Sequence, residues 1–246
     1  MDYIEYFEGI RDHQLSDITI VIAGDGLYNS ANMIDVLRKH QAQVIWLDET
    51  LKLTETASYV LKEETQKAIK GIIDAFGGID VLITNFHTDN DSVLDTDHTA
   101  ICSTWNTRLE MIYTLCEEVA QNMMATRKGK IINTTSFLGK RSYLGAVPLM
   151  TSLSSAIIGM TKAFAEKLAP YQVTANCLTI GMIDAEKSIA GKTFEEIEGR
   201  LPFQWLPLQH FGNVTDVANA LAFLSSPFSD YITGYSMDIN GGFVMD

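Results

Sequence analysis

The fold depends on the stretch Gly129-Lys-Ile-Ile-Asn-Thr-Thr-Ser-Phe-Leu-Gly139, which is followed after a loop by Pro148-Leu-Met-Thr-Ser-Leu-Ser-Ser-Ala-Ile-Ile-Gly-Met-Thr-Lys-Ala-Phe-Ala-Glu-Lys167. The first part is a short apolar run that ends in small polar residues. Buried parallel strands have this pattern where their carboxyl ends meet a site. The second part has apolar residues at helical spacing, which predicts a helix over 149–168. A strand, loop and helix in this order indicate an α/β protein.

The sequence before this stretch shows the same alternation. Residues 17–24 form an apolar run, 29–40 have helical spacing, and 43–48 form a second apolar run that ends at Asp48. A strand, turn, helix and strand ending in an acid outline a dinucleotide-binding unit. We therefore predict an α/β fold with a Rossmann-like, doubly wound parallel sheet, in which the whole chain, 1–246, is a single domain.

Two segments differ from this pattern. Residues 1–16 precede the first predicted strand and are interpreted as an N-terminal extension. Residues 186–206 are rich in charge and have few apolar anchors, which is typical of a weakly held, lid-like segment.

Composition excludes several classes of function. With 31 acidic and 18 basic residues, the net charge is −13, which argues against binding to nucleic acid or to anionic membranes. No apolar run reaches the roughly 18 residues that would span a bilayer, and the first residues are acidic where a signal peptide would be basic. The three cysteines have neither disulfide nor metal-ligand spacing, so we expect reduced thiols, no metal site and a cytoplasmic protein.

The strand ending at Ser136 and the helix containing Ile158-Gly-Met-Thr-Lys162 resemble the centre of the short-chain dehydrogenase/reductase family. The resemblance extends over 17–242 and is most continuous over 206–227 and 231–242. It implies a Rossmann fold, a nicotinamide cofactor, and assembly into dimers or tetramers.

The catalytic positions implied by the resemblance mostly hold other residue types. Ser136 stands where the family has its catalytic Ser, and Arg108 stands where it has an Asn of the proton relay. Met150 takes the place of the family's Tyr, and Ser154 that of its Lys. A thioether cannot give or take a proton at neutral pH, and Ser154 has no charge with which to lower a neighbour's pKa. We therefore expect no intact catalytic set, with Ser136 as a remnant.

The cofactor positions implied by the resemblance are altered as well. Tyr28 and Ser30 replace two glycines of the turn that approaches the pyrophosphate, and Phe86 crowds the place where the family's backbone approaches the adenosine. The positions that still match the family are Gly24, Asp48 and Asn85. The interval 49–59 is too short for the helix and strand that relatives place there, so we expect an incomplete adenine pocket. No cofactor is expected in this chain.

These replacements affect the chemistry, whereas the core strands and helix faces keep their apolar patterns. Changes to packing commonly cost about 2–5 kcal/mol against a total stability of about 5–15 kcal/mol. We therefore expect a non-catalytic subunit that assembles with a homologous active subunit, which holds NAD, as a heterodimer or heterotetramer. The resemblance implies contact through the predicted helices 104–124 and 149–168.

Two other hypotheses stay open at this point. The first is an enzyme with rewired, non-redox chemistry, in which Ser136 acts with Tyr143, Arg141 or Lys140. The second is a sensor that binds NAD(H) without catalysis. His87 is a further candidate base, although a capping or surface histidine is the better interpretation because it has no motif partner.

Overall fold

A six-stranded, all-parallel sheet lies at the centre of the structure, which is a computed structural model. The structure describes residues 15–24, 30–47, 58–86, 98–142, 148–184 and 206–245. The predictions that lie outside these residues concern Tyr28, Asp48, His87, Tyr143, nearly all of the N-terminal extension, most of the interval 49–59, and the lid-like segment up to residue 205.

The strands follow the predicted order along the chain. Their bounds are β1 Thr19–Ala23, β2 Gln43–Leu47, β3 Val81–Thr84, β4 Gly129–Ser136, β5 Val173–Ile180, β6 Ile183–Asp184, β7 Gly212–Asn213 and β8 Ser236–Ile239. In space the large sheet has the order β2-β1-β3-β4-β5-β8, and β6 pairs with β7 in a separate two-stranded sheet. The longest ladder joins β4 to β5 from Gly129–Val173 to Ser136–Ile180.

In the part of the chain that the structure describes, five α-helices connect these strands. Their bounds are α1 Ser30–Lys39, α2 Ser58–Phe76, α3 His98–Thr126, α4 Pro148–Leu168 and α5 Val214–Ser225. Helices α2, α3 and α4 pack on one face of the large sheet, while α1 and α5 pack on the other. The prediction of a doubly wound, Rossmann-like α/β fold is therefore confirmed.

The sequence forms this sheet because its strands are apolar on both faces. All five residues of β1, Thr-Ile-Val-Ile-Ala, are buried, and all four of β3 are buried as well. Strands covered by helices on both sides need such continuous apolar runs. Their alternate side chains enter two separate cores, since Val21 lies with α2, α3 and α4, whereas Ile20 and Ile22 lie with α1 and α5.

Helix α5 begins with a capping box. The sequence predicts Thr215 or Asn213 as the cap of this helix, and the structure identifies Asn213. Its side chain accepts a hydrogen bond from the N–H of Asp216 at 3.1 Å, and Asp216 accepts one from the N–H of Asn213 at 2.8 Å. This reciprocal pair satisfies two amides at the helix start.

Within the described ranges, no helix is both long enough and apolar enough to cross a membrane.

Candidate functional site

The candidate site lies at the carboxyl ends of the parallel strands. In the strand order, β1 is flanked by β2 on one side and β3 on the other, so the direction of winding changes between β1 and β3. Ligands of doubly wound sheets bind in the crevice outside the strands at this switch point. Here the crevice is bordered by Gly24, which follows β1, and by Asn85 and Phe86, which follow β3.

Gly24 is tightly enclosed by its neighbours. Its φ of +94° lies in the region that favours glycine, and its N–H donates to the carbonyl of Leu47 at 3.0 Å. The indole Nε1 of Trp46 donates to the Gly24 carbonyl at 3.1 Å. A Cβ on Gly24 would lie 2.6 Å from the Asn85 carbonyl oxygen and 2.8 Å from a ring carbon of Phe86. The Phe86 ring therefore packs directly on the backbone of the first turn.

Phe86 is buried, with 7% of its surface exposed, and belongs to the core between the sheet and helices α2, α3 and α4. In a doubly wound fold, a bound dinucleotide lies across the switch point, with its ribose and pyrophosphate close to the backbone. The ring lies against Gly24, where the backbone would have to approach the dinucleotide. The described residues therefore do not fit a dinucleotide at the crevice.

Asn85 has a structural role. It is fully buried, its N–H donates to the Ala23 carbonyl at 2.7 Å, and its side-chain Oδ1 accepts from the Thr134 hydroxyl at 3.1 Å. These bonds tie β3 to β1 and to β4. The match of Asn85 to the family is therefore explained by strand pairing.

Ser136, the one catalytic position that matches the family, is the last residue of β4 and is half-buried. Its Oγ accepts a hydrogen bond from the N–H of Leu138 at 3.2 Å, and so caps the short 3₁₀ helix Phe137–Gly139. A hydroxyl in this position holds the chain as it leaves the sheet.

Met150, at the position of the family's Tyr, is in the first turn of α4 and is 8% exposed. It belongs to an apolar cluster at the carboxyl edge of the sheet. The buried members of this apolar cluster are Phe137, Leu138, Met150, Met182, Leu206 and Val244, with Phe211 and Phe243 packed against them. Leu206 is the last residue of the predicted lid-like segment. The position that the resemblance assigns to the proton donor thus lies among packed hydrocarbon and thioether groups.

Ser154, at the position of the family's Lys, is 2% exposed and lies under the backbone of Gly139. A Cβ on Gly139 would come within 2.7 Å of the Ser154 carbonyl carbon. The neighbouring Ser155 hydroxyl donates to the Gly139 carbonyl at 2.9 Å. The 3₁₀ helix therefore packs directly on α4 and covers Ser154, the residue at the position of the family's Lys.

Arg108, at the position of the family's Asn, is half-buried on α3. One guanidinium nitrogen, Nη1, is fully shielded from solvent. The group is a permanent cation, so it cannot replace an Asn that relays protons.

Lys140 and Arg141 of the alternative set each have a partner other than Ser136. Lys140 forms an ion pair with Asp238 at 2.7 Å and donates to the Ser236 carbonyl at 2.9 Å, which ties it to the edge strand β8. The Arg141 guanidinium lies 6.0 Å from the ring centroid of Phe243. The geometry gives neither cation a contact with the Ser136 hydroxyl among the bonds described.

A buried polar network under α3 and α4 was not predicted. Asn133 of β4 accepts from the Thr84 hydroxyl at 2.7 Å and from the Cys116 thiol at 3.5 Å, and it donates to Thr161 at 2.9 Å. The polar residues Asn-Thr-Thr at the end of β4 were the available signal. Burial raises the pKa of the Cys116 thiol, and likewise that of Cys177, to about 12. Both thiols are therefore protonated and poor nucleophiles at neutral pH.

Among the described residues, no three His, Cys, Asp or Glu side chains are grouped so that they could hold a metal ion.

Comparisons with known proteins identify relatives. Residues 60–244 match the family model described as enoyl-(acyl carrier protein) reductase. The chain is 28% identical to the 3-oxoacyl-(acyl-carrier-protein) reductase FabG of Staphylococcus epidermidis over 235 residues, 93% of each chain. It is 30% identical to FabG of Vibrio cholerae serotype O1 over 184 residues, 74% of each chain. The crystal structure of gox2181 has the same fold, with a TM-score of 0.77 and 17% identity over 95% of this chain and 98% of that one.

Proposed function

The chain belongs to the short-chain dehydrogenase/reductase family, and within that family we propose that it is a non-catalytic subunit that assembles with an active, NAD-dependent partner. The observation that carries the proposal is Met150, which is buried in the apolar cluster at the position of the family's proton donor. A thioether has no ionisable proton to transfer to a carbonyl oxygen.

The neighbouring positions support the same conclusion. Ser154 is enclosed beneath Gly139, so it brings no charge to the site, and the Ser136 hydroxyl is used as a cap. At the crevice, Phe86 packs on Gly24 where a dinucleotide would cross. These contacts support a subunit in which local packing takes the place of both chemistry and cofactor contact, and whose partner supplies both.

A face of helices α3 and α4 supports an assembly role. Tyr113 of α3 is 50% exposed although its ring packs 5.8 Å from that of Phe164 on α4. The exposed small residues on α4 are Ser152, Ser155, Gly159 and Ala163. A Cβ on Gly159 would have no neighbour within 4 Å in the described structure, so packing within the chain does not require a glycine there. Close approach by a second subunit would account for the small residues on this face.

The relatives suggest the kind of partner. The FabG relatives are named 3-oxoacyl-(acyl-carrier-protein) reductases. We therefore infer an active ketoreductase of the same family that acts on a 3-oxoacyl thioester, on a carrier protein or on coenzyme A. In kind, this arrangement is similar to the non-catalytic subunit of hydroxybenzylsuccinyl-CoA dehydrogenase.

The first experiment tests the chain alone. NADH and NADPH are titrated into the purified protein by calorimetry, and acetoacetyl-CoA reduction is followed with each cofactor. We expect no saturable heat and no turnover. Tight stoichiometric binding together with reduction of acetoacetyl-CoA would make this chain an active reductase and overturn the proposal.

The second experiment tests the assembly. A tagged chain is purified from its native host, and the expected partner has an intact Tyr-x-x-x-Lys motif and glycine turn. The pair, co-expressed, should reduce acetoacetyl-CoA with NADH, and a Tyr→Phe change in the partner should abolish this activity. If the chain purifies only as copies of itself, the heteromeric proposal fails.

Two matched glycines test the face on α4. Gly159 on α4 and Gly71 on α2 are both exposed helical glycines with open space around a Cβ. Replacing either with Arg should raise helix stability by about 0.5–1 kcal/mol. We expect Gly159→Arg to release the partner and Gly71→Arg to leave the complex intact, as measured by size-exclusion chromatography.

A further inference from the structure

A cavity lies at the amino-terminal edge of the sheet, on the side opposite the crevice of the candidate site. Its volume is about 290 Å³, and residues at the starts of β3, β4 and β5 line it together with Ser225, the last residue of α5. Ligand crevices of doubly wound sheets lie outside the carboxyl ends of the strands. This cavity is therefore separate from the candidate site described above.

Two hydroxyl groups in this cavity are buried without a partner. Ser225 is fully buried and Thr174 is partly buried, and both residues line the cavity. Neither side-chain oxygen makes a hydrogen bond within the described parts of the chain. Leaving such a group unsatisfied costs about 1–3 kcal/mol, so a bound polar molecule would relieve a real penalty.

Among the residues that the structure describes, the charges around the cavity leave one cation without an acidic partner. The five charged side chains of these residues that line it are Asp80, Arg127, Lys128, Lys130 and Asp230. Each acid already has a lysine partner, at 2.7 Å for Asp80 and at 2.6 Å for Asp230. Arg127 instead donates to the uncharged carbonyl of Pro170 at 2.9 Å. The surroundings therefore have a net charge of about +1 on a chain whose net charge is −13, which favours an anion.

We propose that this cavity binds a small hydroxylated monoanion, of the class of short sugar acids. Its carboxylate would lie at Arg127, since guanidinium groups match carboxylates with paired hydrogen bonds. Its hydroxyls would accept from and donate to Ser225 and Thr174. The volume of about 290 Å³ is near the lower limit for ligand pockets, which suits a molecule of this size.

The test is calorimetry on the full chain at low salt with D-gluconate as the probe. Sorbitol, which has a similar polyol chain and no charge, is the matched control ligand. We expect saturable binding of gluconate and binding of sorbitol at least about tenfold weaker, because one charge-assisted contact is lost.

Variants locate the binding. Arg127→Gln removes the charge at a position with φ of +53°, and Gln41, Gln172 and Gln209 show that the chain accepts Gln in this conformation. Ser225→Ala and Thr174→Val remove one hydroxyl each at nearly constant shape. Each of the three should weaken gluconate binding about tenfold. Arg38→Gln is the control, since Arg38 also donates to a backbone carbonyl but lies on α1.

Three results in solution would overturn the proposal. These are the absence of saturable heat up to about 10 mM gluconate, equal affinity for sorbitol, and unchanged affinity in Arg127→Gln and Ser225→Ala. A crystal structure grown with gluconate, with only ordered waters on Ser225 and Thr174, would have the same effect. The two hydroxyl variants are tested separately, so that a folding defect in one leaves the other informative.

Discussion

Gly24 is constrained in two separate ways. Its φ of +94° disfavours any side chain, and the space where a Cβ would lie is already taken by the Asn85 carbonyl and the Phe86 ring. In a cofactor-binding turn, a glycine makes room for phosphate. Here the same freedom lets an aromatic ring of the chain itself approach the backbone.

Two glycines separate these constraints experimentally. Gly77 has a φ of +82° but open space around a Cβ, so Gly77→Ala should cost about 1–2 kcal/mol from backbone strain alone. Gly24→Ala should cost a further 1–3 kcal/mol, roughly, because the Phe86 ring must move. Urea unfolding of the two variants measures the difference. Equal losses would show that Phe86 does not press on Gly24.

Ser154 gives a second comparison at this scale. Because Ser154 is 2% exposed beneath Gly139, Ser154→Lys buries an unpaired charge and should prevent stable folding or cost several kcal/mol, roughly. Ser152, two residues earlier on α4, is exposed. Ser152→Lys should change the free energy of unfolding by less than about 0.5 kcal/mol. Circular dichroism and urea unfolding distinguish the two, and a stable Ser154→Lys protein would contradict this packing.

At the scale of elements, the edge strand β8 is held by side chains as well as by its ladder. The Lys140 side chain is 12% exposed and its partner Asp238 is 19% exposed, and Asp238 also accepts from the Thr179 hydroxyl of β5. Lys140→Met leaves this carboxylate without its cation and should cost about 3 kcal/mol.

The matched control for Lys140 is Lys167. It joins α4 to Glu117 of α3, and the two side chains are 49% and 26% exposed. An ion pair of this kind contributes at most about 1 kcal/mol, so Lys167→Met should be well tolerated. Thermal unfolding of both variants measures the contrast, and similar melting temperatures would argue against a special role for Lys140.

The order of elements could be predicted from the sequence because the pattern of each is local. Four of the five residues of β1 are apolar, and residue type and spacing narrow the cap of α5 to Thr215 or Asn213, of which the structure has Asn213. One helix start was less accurate: α3 begins at His98 rather than near 104. Apolar periodicity identifies the body of a helix and defines its ends less well.

At the scale of the whole molecule, the reactivity of the buried Cys116 and Cys177 thiols measures whether one core opens as a unit. Cys116 and Cys177 both lie in the cluster between the sheet and helices α2, α3 and α4. Iodoacetamide at pH 8 should therefore modify neither thiol in the folded protein, and both should become reactive together on global unfolding. Mass spectrometry of the labelled peptides measures this. Early labelling of one thiol alone would show that the core opens in parts.

The same thiols set a pH dependence. Burial raises each pKa from 9.0 to about 12, so the folded state keeps its protons where the unfolded state releases them. The free energy of unfolding should be unaffected by these groups below about pH 9 and should fall between about pH 9 and 12. Cys177→Ala should make that alkaline decline shallower in urea unfolding. An identical slope would contradict the raised pKa.

The sequence alone gives the residue types at the candidate site, but it does not give the contacts between them. Residue types alone identify Met150 and Ser154 as unable to transfer or promote transfer of a proton. The sequence could not show that Phe86 lies on Gly24, because that contact depends on the register between β1 and β3. It also could not show that Ser136 bonds to the N–H of Leu138, since this requires the 3₁₀ turn after β4.

The burial of Met150 has a consequence for how the chain can evolve. A tyrosine restored at this position would carry its hydroxyl into a cluster built from Phe137, Leu138 and Val244, and a lysine restored at 154 would meet the backbone of Gly139. Each of these two replacements is disfavoured by its surroundings. Under the function proposed above, the family's Tyr and Lys could be introduced here only together with several coordinated replacements among these neighbours.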